Sequence, residues 1–259
     1  LYQKNPEEAM PPASVTKIMT LLLVMECMDA GTLKWEDTVT ASAHAASMGG
    51  SQIFLKEGEQ MSVRDLLKSV AVASANDAAV ALAEHIAGTE EAFVAQMNRR
   101  AAELGMKNTH FVNCTGLPAD GQHTTARDVA VMSRQMFAHP AYFDYSDIWK
   151  DNIDHGDGRV TQLVNTNKLI RFYEGATGLK TGSTDNALYC LSGTAERDGM
   201  ELIAVIMKDA TSAQRFEDAK ALLDHGFANY ALMPVHPEPP LAPVAVLLGT
   251  QSHVQPQLQ

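Results

Sequence analysis

Residues 11–31 read PPASVTKIMTLLLVMECMDAG, and this stretch decides the fold. From Ile18 onward the stretch is almost continuously apolar until Gly31, a pattern that indicates a helix buried on all sides. The pair of prolines at its beginning is typical of the first residues of a helix. The stretch therefore predicts a central core helix that carries Ser14 and Lys17 in its first turn.

Ser14 and Lys17 are three residues apart, so on a helix they share a face and the lysine amine lies beside the serine hydroxyl. A neutral lysine there can accept the serine proton, which makes the serine a nucleophile that needs no histidine. Lysine has an ordinary pKa of about 10.4, so this chemistry requires that burial and a neighbouring cation such as Lys180 lower the pKa. The N-terminus of the helix also offers backbone N–H groups to an oxyanion.

Two further short motifs follow in order along the chain, Ser74-Ala75-Asn76 and Lys180-Thr181-Gly182. A Ser-x-Asn pattern is expected by chance roughly once in a chain of this size, whereas Lys-Thr-Gly has a chance expectation of about a few per cent. The first motif falls in the connection between two predicted helices, and the second lies where a loop enters a predicted strand. The ordered set of three motifs is therefore a strong signal.

The order S-x-x-K, S-x-N, K-T-G resembles that of the penicillin-binding proteins and serine β-lactamases. The closer resemblance is to low-molecular-weight D-alanyl-D-alanine carboxypeptidases, and it covers nearly the whole chain. The matching stretches are residues 1–5, 11–19, 74–78, 116–121, 125–128, 180–185 and 226–230. The resemblance implies the α+β fold of the β-lactamase and DD-peptidase proteins, with an antiparallel sheet of about five strands flanked by helices and an all-helical lobe. In this fold, a strand at the start of the chain pairs with strands near its end, and the Lys180 strand forms the edge of the sheet.

Apolar periodicity and capping residues predict the other elements. The predicted helices cover residues 62–70, 77–86, 89–104, 125–137 and 211–225, the last one ending at Gly226. Residues 187–195 and 200–207 predict two antiparallel strands around a tight turn. We expect a catalytic domain over residues 1–233 with an incomplete N-terminal strand, a Pro-rich linker over 234–243, and the start of a truncated β-rich domain over 244–259.

The resemblance also implies the catalytic roles. Ser14 attacks the carbonyl between two D-alanines and forms an acyl-enzyme, Lys17 is the base for acylation, and Ser74 relays the proton to the leaving amine. The backbone N–H groups of Ser14 and Ser183 form the oxyanion hole. None of these steps calls for a metal or a cofactor, and the sequence contains no H-E-x-x-H or Cys-x-x-Cys pattern.

The remaining implied residues bind the substrate. Asn76 hydrogen-bonds the substrate amide and Lys17, although an asparagine there can equally cap the next helix. Lys180 and Thr181 bind a substrate carboxylate, and Gly182 lets the substrate backbone approach the sheet edge. Arg215 occupies the place where the family carries an arginine near the substrate's terminal carboxylate, with an exposed helix arginine as the alternative.

Some positions depart from the pattern of the wider superfamily. The second motif is Ser-Ala-Asn and not Ser-Asp-Asn, and Ser183 follows Lys-Thr-Gly. Both features point to carboxypeptidases more than to β-lactamases. Leu188 stands where many relatives have glycine, which narrows the space behind the strand.

Composition limits the partners. The formal net charge of −11 and the lack of a Lys/Arg-rich stripe argue against nucleic acid. The resemblance implies a peptidoglycan stem peptide ending in D-Ala-D-Ala as substrate, and β-lactam antibiotics as covalent inhibitors. It also implies an exported protein of the cell envelope, which meets the membrane surface only through segments outside this chain.

Two other functions remain open from the sequence. A penicillin-sensing or muropeptide-binding module would carry the same three motifs without turnover. A class A-like β-lactamase would need a glutamate and an asparagine in a loop that directs a deacylating water. The nearest analogue of that loop is residues 165–170, Asn-Thr-Asn-Lys-Leu-Ile, which contains no glutamate.

Overall fold

The computed structural model describes residues 1–233, 242–247, 250 and 253–254. The chain divides into two compact units, Leu1–Asn229 and Tyr230–Gln259. The helices of the first unit are α1 (Lys17–Asp29), α2 (Ala43–Ala46), α3 (Val63–Ala73), α4 (Asn76–Ala87), α5 (Glu90–Glu103), α6 (Ala126–Met136), α7 (Phe143–Ser146), α8 (Leu169–Phe172) and α9 (Ser212–Asn229). Its strands are β1 (Thr38–Thr40), β2 (Gln60–Ser62), β3 (Lys150–Asp154), β4 (Val160–Val164), β5 (Ala176–Thr184), β6 (Leu188–Arg197) and β7 (Met200–Asp209).

The predicted core helix is α1. Its residues from Lys17 to Met25 are all buried, and α3, α4 and α6 pack around it. A 3-10 turn, Ala13–Thr16, leads directly into α1, so Ser14 lies in this turn and Lys17 is the first α-helical residue. Because this part of the helix has no solvent face, the side chains at its beginning are held inside the protein.

The helical lobe confirms the predicted caps. The side chains of Ser62, Thr89 and Thr125 each accept a hydrogen bond from the backbone N–H three residues on, at the starts of α3, α5 and α6. Gly88 ends α4 with a φ of +86°, a conformation that favours glycine. The lobe therefore follows local signals that the sequence carries.

The main sheet is antiparallel with the order β5-β6-β7, which confirms an α+β fold with β5 at one edge. The β6–β7 hairpin turns at Asp198 and Gly199, both with positive φ. In the described part of the chain this sheet has three strands, not about five. Residues 1–5 form no strand. The N-terminal segment is bonded further along, where Met10 pairs with Thr124 and Pro6 accepts a hydrogen bond from the Arg127 backbone.

Helix α9 corrects one predicted boundary. Gly226 does not end the helix, which runs on to Asn229. A Cβ on Gly226 would lie 2.5 Å from Leu202 Cδ1, so the glycine instead lets α9 pack closely on β7. None of the helices in the described ranges is both long and apolar enough to cross a membrane.

The second unit is described only in part. Its strands β8 (Val244–Ala245) and β9 (His253–Val254) pair antiparallel. Most of the Pro-rich linker that the sequence predicts, residues 234–241, lies outside the described residues. The proposed domain boundaries therefore stay a prediction.

Leu188 begins β6 with a φ of +50°, in the left-handed region that favours glycine. A residue with a Cβ loses about 1–2 kcal/mol in this conformation, and glycine loses part of that again through chain entropy. Both Leu188→Gly and Leu188→Ala lose the partly buried leucine side chain, so we expect Leu188→Gly to have a free energy of unfolding about 0.5–1 kcal/mol above that of Leu188→Ala. Denaturant unfolding checks this against Leu188→Ala, which keeps a Cβ. A glycine variant no more stable than the alanine variant would contradict the expectation.

Candidate active site

Ser14 and Lys17 are in direct contact. The Lys17 Nζ donates to Ser14 Oγ at 3.1 Å and to the backbone oxygen of Thr115 at 2.6 Å. In a 3-10 turn, side chains three residues apart eclipse one another, so the turn sets this pair face to face. Lys17 is fully buried, whereas Ser14 is half-buried at the surface of the site.

Burial governs the electrostatics of Lys17. It lowers the pKa of the amine to about 7, while the Cys114 thiol and the Asp77 carboxylate act in the opposite direction. A lysine with this pKa is partly neutral at physiological pH, so it can accept a proton from Ser14. The sequence predicted the lowered pKa, and burial is its main cause.

A loop over residues 113–117 lies against the backbone before Ser14. Asn113 Oδ1 accepts from the backbone N–H of Gly116 at 2.7 Å and from that of Thr115 at 3.2 Å. Gly116 has a φ of +84°, and a Cβ there would lie 1.9 Å from the backbone oxygen of Ala13. Only glycine fits at this contact, which brings the Thr115 carbonyl to Lys17. The sequence indicated a loop here, with residues 116–121 among the matching stretches, but did not predict that it contacts Lys17; Gly116 was the available signal.

Strand β5 lies on another side of the 3-10 turn. A Cβ on Gly182 would lie 2.9 Å from Ser14 N and 3.0 Å from Val15 N. We expected Gly182 to let a substrate backbone approach. In the described structure, a glycine is already needed here because any Cβ would clash with the backbone of the 3-10 turn. The absence of a side chain thus sets the distance between the first and third motifs.

Lys180 on β5 is a second buried lysine. Its Nζ donates to the backbone oxygen of Thr181 at 3.1 Å. Burial, followed by the charges of Lys17 and Arg215, lowers the pKa of Lys180 well below its ordinary value. Basic groups held this close together with so little solvation attract an anion such as a carboxylate, which favours their charged forms.

Ser74 closes α3 in the left-handed conformation, with a φ of +63°. Its Oγ is buried and has no hydrogen-bond partner among the described residues. The end of α3, just before the motif, is tied to β5 through Thr166, whose backbone N–H donates to Val72 O at 3.2 Å and whose Oγ1 accepts from Thr181 Oγ1 at 2.7 Å. The sequence singled out residues 165–170 as the analogue of a β-lactamase loop, but it gave Thr166 no role in the site.

Asn76 is the first residue of α4, and Ala75 is the N-cap, so the alternative role of Asn76 as a helix cap is wrong. Its Nδ2 donates to Gly49 O at 2.7 Å, and its backbone N–H donates to Ser51 O at 2.7 Å. The Oδ1 atom is buried without a partner in the described part of the chain. This oxygen is free to accept a hydrogen bond from a ligand.

Arg215 is buried, at 6% exposure, so the alternative of an exposed helix arginine is wrong. Its Nη1 donates to the backbone oxygens of Gly182 and Cys190, both at 3.1 Å. The guanidinium therefore supports β5 and β6 at the residue before Ser183, which is itself exposed. Burial lowers the pKa of Arg215.

The segment over residues 165–170 packs against β5. Asn165 Nδ2 donates to Ile148 O at 2.8 Å, and Asn167 Nδ2 donates to Gly178 O at 2.7 Å. Both side-chain amides thus donate to backbone carbonyl oxygens, and residues 165–170 contain no carboxylate. The arrangement as a whole is that of a serine nucleophile with a buried amine, unpartnered polar atoms and a cationic pocket.

Comparisons with known proteins agree with this geometry. Residues 1–211 match the family model for D-alanyl-D-alanine carboxypeptidase, peptidase family S11. The chain is 44% identical over 256 residues to D-alanyl-D-alanine carboxypeptidase DacF of Bacillus subtilis, with 98% of this chain and 66% of that protein covered. The chain thus spans just under two thirds of the length of this relative.

Solved structures give the same result. The D-alanyl-D-alanine carboxypeptidase DacD of Francisella tularensis superposes with a TM-score of 0.87 at 32% identity, covering 95% of this chain and 71% of that chain. Penicillin-binding protein D2 of Listeria monocytogenes, in its ampicillin-bound form, superposes with a TM-score of 0.77 at 33% identity, covering 87% of this chain and 91% of that chain.

Proposed function

The chain belongs to the D-alanyl-D-alanine carboxypeptidase family, and from this premise we propose that it is a serine DD-carboxypeptidase that removes the terminal D-alanine from peptidoglycan stem peptides. One observation carries the proposal. Ser14 Oγ lies 3.1 Å from Nζ of a fully buried lysine, whose pKa burial lowers to about 7. This pair supplies both the nucleophile and its base.

Acylation begins when Lys17 takes the proton of Ser14 and the serine oxygen attacks the carbonyl between the two D-alanines. The resulting oxyanion is stabilised by the backbone N–H groups of Ser14 and Ser183, each worth roughly 3 kcal/mol in related chemistry. Collapse breaks the C–N bond, and the proton passes through Ser74 to the amine of the departing D-alanine. Water then attacks the ester, which regenerates Ser14 and releases the shortened peptide.

The substrate is bound by the groups around this centre. Lys180 and Thr181 bind the terminal carboxylate, and the positive charge of Arg215 behind β5 strengthens the same subsite. The unpartnered Oδ1 of Asn76 accepts a hydrogen bond from the substrate amide. The edge of β5 pairs with the extended peptide.

β-Lactams would acylate the same serine. Because residues 165–170 contain no glutamate to direct a deacylating water, we propose that this acyl-enzyme persists and that the drugs inhibit the enzyme. The ampicillin-bound relative supports this behaviour. We also propose that the protein acts outside the cytoplasm, where peptidoglycan lies.

The direct test is D-alanine release from a peptide that ends in Lys-D-Ala-D-Ala. We expect release by the purified protein and block of the release after reaction with penicillin. The control peptide ends in L-Ala-L-Ala and should not be cleaved. Covalent penicillin labelling without any release would favour the sensing module instead, and hydrolysis of penicillin at many turnovers would favour a β-lactamase.

A further inference from the structure

Asp77 follows Asn76 directly, and the proposed reaction makes no use of it. Its side chain is fully buried, and it forms no ion pair with a described residue. A buried carboxylate without a paired cation needs strong hydrogen bonds in its place. Because burying a carboxylate costs desolvation free energy, its presence here indicates a function.

The Asp77 carboxylate binds the backbone of a segment over residues 49–55. Its Oδ2 accepts from Ile53 N at 3.1 Å and from Leu55 N at 3.0 Å, and its Oδ1 accepts from Ala78 N at 2.9 Å. Between the two bonded amides lies Phe54, which is exposed and has a φ of +65°. The carboxylate therefore holds this segment in a conformation that a non-glycine residue avoids by itself.

The same segment holds Asn76. The backbone oxygens of Gly49 and Ser51 accept from its side chain and its backbone. A Cβ on Gly50 would lie 2.9 Å from Asn76 Nδ2, so the contact is tight. Fixing the segment thus fixes the direction of the Asn76 amide.

Asp77 also acts on Lys17 through its charge. The groups that face Lys17 are Ser14 Oγ on its own turn, the carbonyl of Thr115 and the thiol of Cys114 on the 113–117 loop, Asp77 on α4, and Lys180 on β5. Among these, Cys114 and then the Asp77 carboxylate favour the protonated amine, against the larger effect of burial.

We propose, on the basis of the proposed function, that Asp77 is a positioning residue: it holds the 49–55 segment against Asn76 and so fixes the Asn76 amide at the site. Asp77→Asn also removes a charge that acts on Lys17, whereas disturbing Gly50 changes the segment alone.

The test measures the rate of acylation by a fluorescent penicillin from pH 5.5 to 9 in four proteins. These are the wild type, Asp77→Asn, Gly50→Ala and, as a control, Asp218→Asn, an exposed carboxylate on α9. We expect Asp77→Asn to lower the plateau rate about tenfold and to move the midpoint of the profile down by about one pH unit. Gly50→Ala should lower the plateau acylation rate without moving the midpoint of the pH profile. Asp218→Asn should change neither the rate nor the midpoint.

A folded Asp77→Asn protein that is acylated at the wild-type plateau rate would overturn the proposal, and so would Gly50→Ala at the wild-type rate. If Asp77→Asn does not fold, Asp77→Glu keeps the charge and should keep the midpoint at a reduced rate. Hydrogen exchange of residues 49–55 gives a second measurement: the segment should exchange faster in the Asp77 variants, and equal exchange would contradict the proposal. A wild type that penicillin does not acylate would refute the proposed function, while the exchange measurement would still decide the positioning role.

Discussion

Replacing Ser14 with alanine is expected to abolish D-alanine release and penicillin labelling together, with a loss of at least about 10⁴-fold in each rate. The reason is that the side-chain oxygen is the atom that forms the ester in both reactions. No other described serine is hydrogen-bonded to a buried lysine amine: Lys17 Nζ donates to Ser14 Oγ and Thr115 O, and Lys180 Nζ donates to Thr181 O. The change removes one oxygen from a half-buried position, so the fold should remain.

Mass spectrometry of the protein after reaction with penicillin measures this effect. Ser47→Ala is the matched control, since Ser47 is exposed and its hydroxyl binds only the backbone oxygen of His44. We expect that control to be labelled like the wild type. A penicillin adduct on the alanine variant would mean that another residue is the nucleophile.

Replacing Lys17 with methionine is expected to lower the acylation rate at least about 10³-fold while the site stays filled. Methionine has a similar length and fits an apolar interior, but it cannot accept the Ser14 proton. Lys17→Arg should be equally slow, because a guanidinium keeps its proton at every accessible pH. This pair of variants separates a base from a positive charge.

The two lysine variants need a check on folding, since Thr115 O loses the donor that lies 2.6 Å away. Thermal unfolding monitored by circular dichroism provides it. Rapid acylation by a folded Lys17→Arg protein would show that the charge, and not proton transfer, is what the reaction requires.

Much of this site follows from local sequence. The apolar run of α1 and the spacing of Ser14 and Lys17 predict a buried pair, because one helix with no solvent face must bury whatever its first turn carries. The hairpin of β6 and β7 follows from its turn residues in the same way. In each case the signal and the structure lie within a few residues of one another.

The rest depends on contacts between distant parts of the chain. Thr115 meets Lys17 across 98 positions, and Thr166 meets Thr181 from a separate segment. The burial of Arg215 results from how α9 packs on the sheet, which helical periodicity alone does not set. Residues 1–5 read as a strand, yet strand formation needs a partner edge, and the N-terminal segment bonds to residues beside α6 instead.

The central claim is that a neutral, buried Lys17 activates Ser14, and the pH dependence of wild-type acylation tests it most directly. With a pKa of about 7, the amine gains its neutral form as the pH rises through that value, so the rate should rise. We expect an increase of about tenfold from pH 6 to pH 8, followed by a plateau. A rate that is constant or falls over this range would contradict the account, because Lys17 would then not be the base.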